Sequence, residues 1–503
     1  MIFNTIDNVN SKDDKALLIE LVSVYCKIVT EYSKKIGISV ATAGVSEKVI
    51  MEIKDMGLIK DSDQMTLLKK NLGDLFPTFI NCVSAYVANP KSYGKILDKL
   101  SNKKRHQAQV KEWSENKPNM ADFFAGAGGL SLGFSQSGYR VCFANDFQDV
   151  CVNTYRYNHP EVPSNKVLCA DIRKIVDNIQ DYITDDVDIV VGGPPCQGFS
   201  SANQQRIIDD PRNELYKYYL KAVQKLAPKF VVMENVKGML SVAEQVVEDY
   251  KSIVAEKDSK KYSYDIKYEL LNSADFGVAQ SRERLIYIAI RNDVMQDKGI
   301  KPSDIFAEIR ESCKNNRVVT LSEALSFIKP LDAPRVKNTN EIDDEKTGKK
   351  VDVNTYSGHD NAYLKAINQG REIPLVFNHK ARYVNDINYD IYRILNPGED
   401  AADEKIADIM PYKHRLHCFK DKYYKLIPDR PSRTITAHLR MDCHSHIHPT
   451  QIRAITPREA ARCQSFPDDY MFLGAYLKTY MEIGNAVPVL MAKQIAEVIK
   501  KHI

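Results

Sequence analysis

Nowhere in this 503-residue chain does an apolar run reach the length of a membrane span, and Met1-Ile2-Phe3-Asn4 opens no secretory signal. Paired cysteine motifs are missing too. The ten cysteines show no CxxC and no regular spacing, which argues against a zinc ribbon and against a disulfide framework. Reduced thiols in a cytoplasmic, nucleoid-associated setting are expected, with no membrane partner. Charge imbalance is small. A net charge of +4 neither demands nor excludes a polyanion, so local clustering must decide. What is present, 44% hydrophobic and 27% charged residues, describes a soluble globular protein long enough for two or three domains.

The first hundred residues read as helical. Leu18, Leu21, Tyr25, Ile28 and Tyr32 recur at helical spacing over 14–36, ending at Gly37. A second helix is expected from Ser46 to about Gly57, and a third over 72–87 with Pro77 as a start or break. Residues 38–59 fit either a helix-turn-helix fragment or plain helical packing. Residues 101–119, polar with Lys103, Lys104, Arg105 and Lys111, read as a basic linker.

The pattern then changes to strands alternating with helices. Met120–Phe124 is a strand, followed by the glycine-rich turn Ala125-Gly126-Ala127-Gly128-Gly129 and a helix over 130–137. Strand, glycine turn and helix open a Rossmann-like sheet, although one glycine loop serves many cofactors. Further strands end at Asn145-Asp146-Phe147, at Asp171-Ile172, at Gly192-Gly193-Pro194-Pro195-Cys196 and at Glu234-Asn235-Val236. Ligands bind at the carboxyl ends of such strands. A carboxylate such as Asp146 suits a ribose diol, and Phe147 can cover an adenine. Cys196 sits where a thiol can act as nucleophile, and Glu234 on the neighbouring strand end can act as acid. Gln280-Ser281-Arg282-Glu283-Arg284 precedes an apolar strand, and alternation puts Arg282 and Arg284 on one face. Nucleophile, acid and cation together suit addition to an electron-poor ring.

Six segments in this order resemble the C5-cytosine-specific DNA methyltransferase family: Phe124-Ala125-Gly126 with Gly128-Gly129; Pro194-Pro195-Cys196-Gln197; Glu234-Asn235-Val236; Gln280-x-Arg282-x-Arg284; Arg458–Pro467; and Gly484-Asn485-Ala486-Val487-Pro488. The resemblance covers residues from about 121 to the C-terminus. It implies an α/β fold: a Rossmann-like S-adenosylmethionine-dependent methyltransferase domain with an inserted target-recognition domain, preceded here by a helical domain. The implied division is 1–100 helical, 101–119 linker, 120–292 catalytic, 293–430 recognition, and 431–503 brace and closing helix.

By the same resemblance, S-adenosylmethionine would be the cofactor, leaving as S-adenosylhomocysteine, with no metal. Phe124, Ala125, Gly126, Gly128, Gly129, Asp146, Phe147, Asp171, Ile172, Pro194, Asn485 and Val487 would bind it. Cys196 would attack C6 of a cytosine flipped from the duplex, and Glu234 would bind and protonate N3. Asn235 would fix the Cys196 loop, and Arg282 or Arg284 would hold O2 of the base. The polar loop carrying Ser200, Gln204 and Arg206 would close over DNA. Window 411–440 holds eight cations against two acids, a net of +6, with Tyr412, Phe419, Tyr423 and Tyr424 interleaved. Lys413, Arg415 and Arg433 from it are expected on phosphates.

Cys443-His444-Ser445-His446-Ile447-His448 invites a metal reading. Strand alternation would separate the cysteine from the histidines, and no second ligand pair is suitably spaced. Arg458–Pro467 reads as an amphipathic helix bracing the recognition domain, with the last helix, 489–503, returning to the cofactor domain. Residues 256–267 read as a surface insertion. Two positions depart from the family pattern: Gln148 replaces a frequent acid, and Val489 follows Pro488 where a second proline is common. The expected partner is duplex DNA, met as a monomer, with a cognate restriction endonuclease in a restriction–modification system. Alternatives are a tRNA cytosine-C5 methyltransferase and a DNA-binding regulator without catalysis.

Overall fold

The computed structural model describes residues 2–3, 5–195, 214–358, 360–411 and 422–503. Its centre is a seven-stranded sheet. Five strands run parallel: β1 (Asn119–Phe123), β2 (Arg140–Asp146), β3 (Val167–Cys169), β4 (Ile189–Gly192) and β5 (Phe230–Val236). After a small hairpin of β6 (Ala255–Lys257) and β7 (Lys260–Tyr262), β8 (Tyr264–Asn272) and β9 (Glu283–Arg291) complete the sheet antiparallel. The order is β3-β2-β1-β4-β5-β9-β8. β1 and β4 run parallel, but successive strands are laid outward in opposite directions from them, and this switch in winding opens a crevice at their carboxyl ends. Helices cover both faces, so the strand interiors are mostly apolar: Ile189, Val190 and Val191 have no exposed surface.

The closing helix, Val489–Lys500, lies along Gly129–Gln136, the helix after the glycine turn. Tyr139 Oη donates to the Ala496 carbonyl at 3.1 Å, and Lys500 Nζ to that of Ser137 at 2.8 Å. The C-terminus thereby seals the catalytic sheet, as its sequence suggests.

The amino-terminal helices follow their sequence signals. Lys12–Ile36 begins with a Ser11–Asp14 capping box and stops at Gly37, and Glu47–Asp55 is capped by Ser46. Leu75–Ala88 carries Pro77 in its first turn, where a missing N–H costs nothing. Residues 38–59 contain one helix, packed on Leu75–Ala88, and no helix-turn-helix pair.

Three sequence expectations need correction. The stretch expected as a linker is largely a helix, Asn102–Ser114. Its Arg105 is buried and donates to the carbonyls of Arg156 at 2.6 Å and Lys99 at 3.2 Å, docking the helix to the catalytic sheet. Residues past 292 do not all leave the sheet. Helix Pro302–Cys313 buries Ile305, Phe306 and Ile309 against Ile286, Ile288 and Ile499. Among the described residues of 293–430 only β10 (Gly348–Val353) and β11 (Leu375–Lys380) are strands. Val351, Leu375 and Phe377 of this pair share one core with Val22, Tyr25 and Val29 of the first helix. Lys350–Glu20 and Lys27–Asp343, both at 2.6 Å, flank that contact.

The third correction concerns Pro457–Cys463. Thr456 and Glu459 form its capping box, as expected, but the helix is buried on all sides rather than amphipathic. Arg453, Arg458, Glu459, Arg462 and Asp468 have no exposed surface. Each charge is met by an opposite charge or by backbone carbonyls. Arg453 bonds both oxygens of Glu459 at 2.7 Å, and Arg462 bonds Asp468 at 2.7 and 2.8 Å. Arg458 donates to the carbonyls of Phe377 at 2.7 Å, Pro467 at 2.8 Å and Tyr470. This strap ties β11 to the segment that leads back to the sheet.

The histidine-rich segment forms a short 3-10 turn at His444–His446, not a strand. His448 Nδ1 accepts from Gln451 N at 3.1 Å, so that nitrogen must be unprotonated. Burial depresses His379 and His446 to about 4 and His448 to about 3.

Two outcomes are expected. Arg462→Leu leaves Asp468 buried with only Asn354 and Asn368, each at 3.2 Å, and should cost about 3–5 kcal/mol in urea unfolding. A loss under about 1 kcal/mol, the scale of an exposed pair, would contradict the network. Second, the unfolded chain protonates these histidines near pH 6.5 while the fold refuses protons until about pH 4. Their contribution is complete above about pH 6.5, so the urea midpoint should fall between there and pH 4; a flat profile across that window would contradict their burial.

Candidate active site

The carboxyl ends of β1, β2, β4 and β5 enclose a cavity of about 710 Å³. The turn after β1 supplies its floor. Phe124 adopts φ +60° and Gly126 φ +54°, both left-handed, and a Cβ on Gly126 would project into open space. Gly126 N donates to Asp146 Oδ2 at 2.9 Å and Gln148 N to Asp146 Oδ1 at 2.8 Å. The β2 carboxylate thus pins the glycine turn, and its burial pushes its pKa up. Phe147 is 71% exposed, an aromatic face open at the rim. At the end of β3, Asp171 caps Arg173 N at 2.9 Å and is salt-bridged to the same residue's guanidinium, which lowers its pKa. Ile172, Pro194, Asn485 and Val487 join Ala125 and Gly129 on the walls, while Gly128 is not among the lining residues and faces Tyr155, His159 and Tyr470.

The opposite end is built by β4, β5 and β9. Glu234 Oε1 receives Arg284 Nε at 2.7 Å across the sheet, with both side chains largely buried. Register explains the pair: Arg284 lies opposite Val236, diagonal to Glu234. Glu234 Oε2 lies 3.0 Å from where a Gly193 Cβ would be, so any side chain at 193 would press on the carboxylate. Asn235 Nδ2 donates to the Pro194 carbonyl at 2.9 Å, fastening the turn that leads to Cys196. Cys196, Ser200, Gln204, Arg206, Lys413 and Arg415 lie outside the described residues.

The two arginines separate. Arg282 precedes β9, so alternation does not reach it. It is buried, donating to the carbonyls of Ile435 at 2.6 Å and Gly484 at 3.0 Å. Gln280 beside it bonds Gln464 at 2.7 Å and accepts from Ile435 N at 2.6 Å. Both knit the β9 entrance to segment 432–436 and the Asn485 turn. Arg433 stacks over Tyr424, 4.5 Å from the ring centroid, beside the strand-like bridge of Ser432 with Gln280.

Residues missed from the sequence include Asp122 and Glu482, both lining the cavity and buried. Asp122 Oδ1 and both oxygens of Glu482 have no hydrogen-bond partner. A charged residue inside the apolar strand Met120–Phe123 was a usable signal for Asp122; Glu482 had none, because only its helix register brings it inward.

These features fit a nucleoside-bearing, positively charged ligand: an aromatic rim, a paired carboxylate at β2, and unpartnered buried carboxyls. Among the described residues lining the cavity Arg173 is the single cation, and it is already tied to Asp171 and Glu214.

Comparison with known proteins agrees with the geometry. A type II methyltransferase, M.AgeI, from Thalassovita gelatinovora is 30% identical over 435 residues, covering 75% of this chain and 98% of that protein. M.DdeI from Desulfomicrobium norvegicum is 32% identical over 398 residues, covering 75% and 88%. In fold, the chain is similar to a prophage-encoded E. coli chain named for DNA modification methyltransferase activity, with TM-score 0.56, 22% identity, and coverage of 76% and 99%. The family model for C-5 cytosine-specific DNA methylase matches residues 118–501. The chain belongs to the C-5 cytosine-specific DNA methylase family.

Proposed function

We propose that this protein methylates C5 of a cytosine flipped out of duplex DNA, as the modification enzyme of a restriction–modification system. The observation that carries the reading is the Glu234–Arg284 pair held at 2.7 Å beside the Pro194-Pro195 turn, with Glu234 lining the cavity that suits the donor. Family and fold imply S-adenosylmethionine, which when bound supplies a methyl group on positively charged sulfur to a nucleophilic carbon. Asp146, Phe147, Asp171 and Ile172 would hold its nucleoside, and Asn485 and Val487 its far wall.

The chain's own residues prepare the base. Cys196 follows directly on Pro195, and its thiolate would add to C6, moving the C5–C6 π pair to C5 to take the methyl group. Loss of the C5 proton would then expel the thiolate and restore the ring double bond. Glu234 Oε1 is fixed by Arg284, which leaves Oε2 for N3 of the ring. A proton held there draws electrons from the C6 position and makes addition feasible. Arg284 is the arginine offered to the base; Arg282 acts as a positioning residue through its two carbonyl bonds. Asn235 fixes the turn. Residues between β9 and the strap, with Arg433 at their edge, would read the DNA, and Ser200, Gln204, Arg206, Lys413 and Arg415 would meet its backbone.

Labelled S-adenosylmethionine offered with duplex DNA or with tRNA tests this. Label should enter DNA, vanish in Cys196→Ala, and fall by about 10²–10⁴ in kcat in Glu234→Gln. Label confined to tRNA, or a Glu234→Gln variant with unchanged kcat, would refute the assignment.

A further inference from the structure

Glu482 lies in the last turn of the helix Tyr476–Asn485, three residues before Asn485, and Asp122 lies in β1. Both line the donor cavity. Neither has a cation to itself. Glu482 is 1% exposed and makes no hydrogen bond of proper geometry, though the Thr154 hydroxyl approaches it. Around it stand the thiol of Cys151, the phenol of Tyr470 and the carboxylate of Glu20 from the first helix. Lys350 and Lys478 act on it more weakly, and Lys350 is bound to Glu20 at 2.6 Å. Asp122 accepts from Ser131 Oγ through Oδ2 at 2.5 Å, while Oδ1 is unpartnered. It faces Asp146 and the phenols of Tyr155, Tyr219 and Tyr470. Among the described residues, these ionisable groups beside Asp122 are acidic, and His159 stacks on Tyr155 behind them at 4.3 Å.

Burial raises Glu482 well above the carboxylate range and Asp122 to about 7. With no cation of its own beside it, burial disfavours the charged form of each carboxyl. A buried carboxyl is stabilised as an anion by a nearby positive charge, and a ligand that brings one drives its proton out.

We propose that Asp122 and Glu482 make the cavity a reader of ligand charge: they meet the cationic methyl donor as carboxylates, having released protons to solvent, and lose that attraction once methyl transfer makes the sulfur neutral. The inference rests on the donor assigned above. In the reaction the methyl–sulfur bond breaks and its electron pair stays on sulfur, so sulfonium becomes thioether and the ligand's positive charge is lost. The carboxyls then take protons back from solvent. Product release is favoured by this step, without any movement of the fold.

The test is calorimetric titration of the full chain at pH 7 with S-adenosylmethionine and, separately, S-adenosylhomocysteine. Each is run in phosphate and in Tris, whose different ionisation enthalpies report protons released. The donor should release at least half a proton more per site than the product. Glu482→Gln, neutral and of equal size, should reduce that difference and weaken donor binding about tenfold, with product binding changed less than threefold. Equal proton counts for the two ligands in the unmodified chain would overturn the inference while leaving the donor assignment intact. Failure of both ligands to bind would overturn the donor assignment and the inference with it. The unmodified-chain titration decides the matter even if a variant does not fold.

Discussion

The buried charge strap from Arg453 to Asp468 is the constraint on which the rest of the molecule hangs. Charges with no exposed surface are tolerated only when geometry satisfies them, so each pair fixes two backbone segments at once. Arg458 reaches β11 through the Phe377 carbonyl, and Arg462 reaches the short helix Leu321–Ala324 and its exit through the Ala324 and Ser326 carbonyls. Gln464 then holds the carbonyls of Ile483 and Ala486 at 2.7 and 3.1 Å, which sets the turn bearing Asn485. One strap therefore aligns β11, the segment at 324–326 and the cavity wall. Apolar packing could hold these parts together, but it would not fix their register as narrowly.

The amino-terminal helices become part of the same construction. They share a core with β10 and β11, and Glu20 accepts from Gly474 N at 2.6 Å, just before the helix that carries Glu482. A region outside the family match thus touches both the β10–β11 pair and a segment next to the cavity wall. Its helices buttress; their contacts explain why residues 101–119 had to be ordered as well.

Much of the site was legible in the sequence because chemistry at strand ends is local. The alternation of strands, the glycine turn, Asp146, Asp171, Glu234 and Asn235 all fall where the pattern puts them, since strand termini face one crevice in an open parallel sheet. What failed was what depends on partners distant in sequence. Arg282 and Arg284 look equivalent in a strand, yet one lies outside β9 and bonds carbonyls more than 150 residues away. The strap helix looked amphipathic because its counter-charges, Arg453 and Asp468, lie outside it. Residues 101–119 looked like a linker because the carbonyls that receive Arg105 are 51 residues on and, at Lys99, six residues back. Glu482 gave no signal, because its burial is set by helices of three separate segments.

The central claim is that the thiol after Pro195 and the Glu234–Arg284 pair act on one cytosine ring. The most direct measurement uses a duplex that the enzyme methylates, with 5-fluorocytosine at the target base so that the adduct cannot eliminate. With S-adenosylmethionine present, the account predicts a protein–DNA complex that survives denaturation, absent in Cys196→Ala and much slower to form in Glu234→Gln. A complex that persists in Cys196→Ala, or its absence with unmodified enzyme on DNA it methylates, would contradict the account.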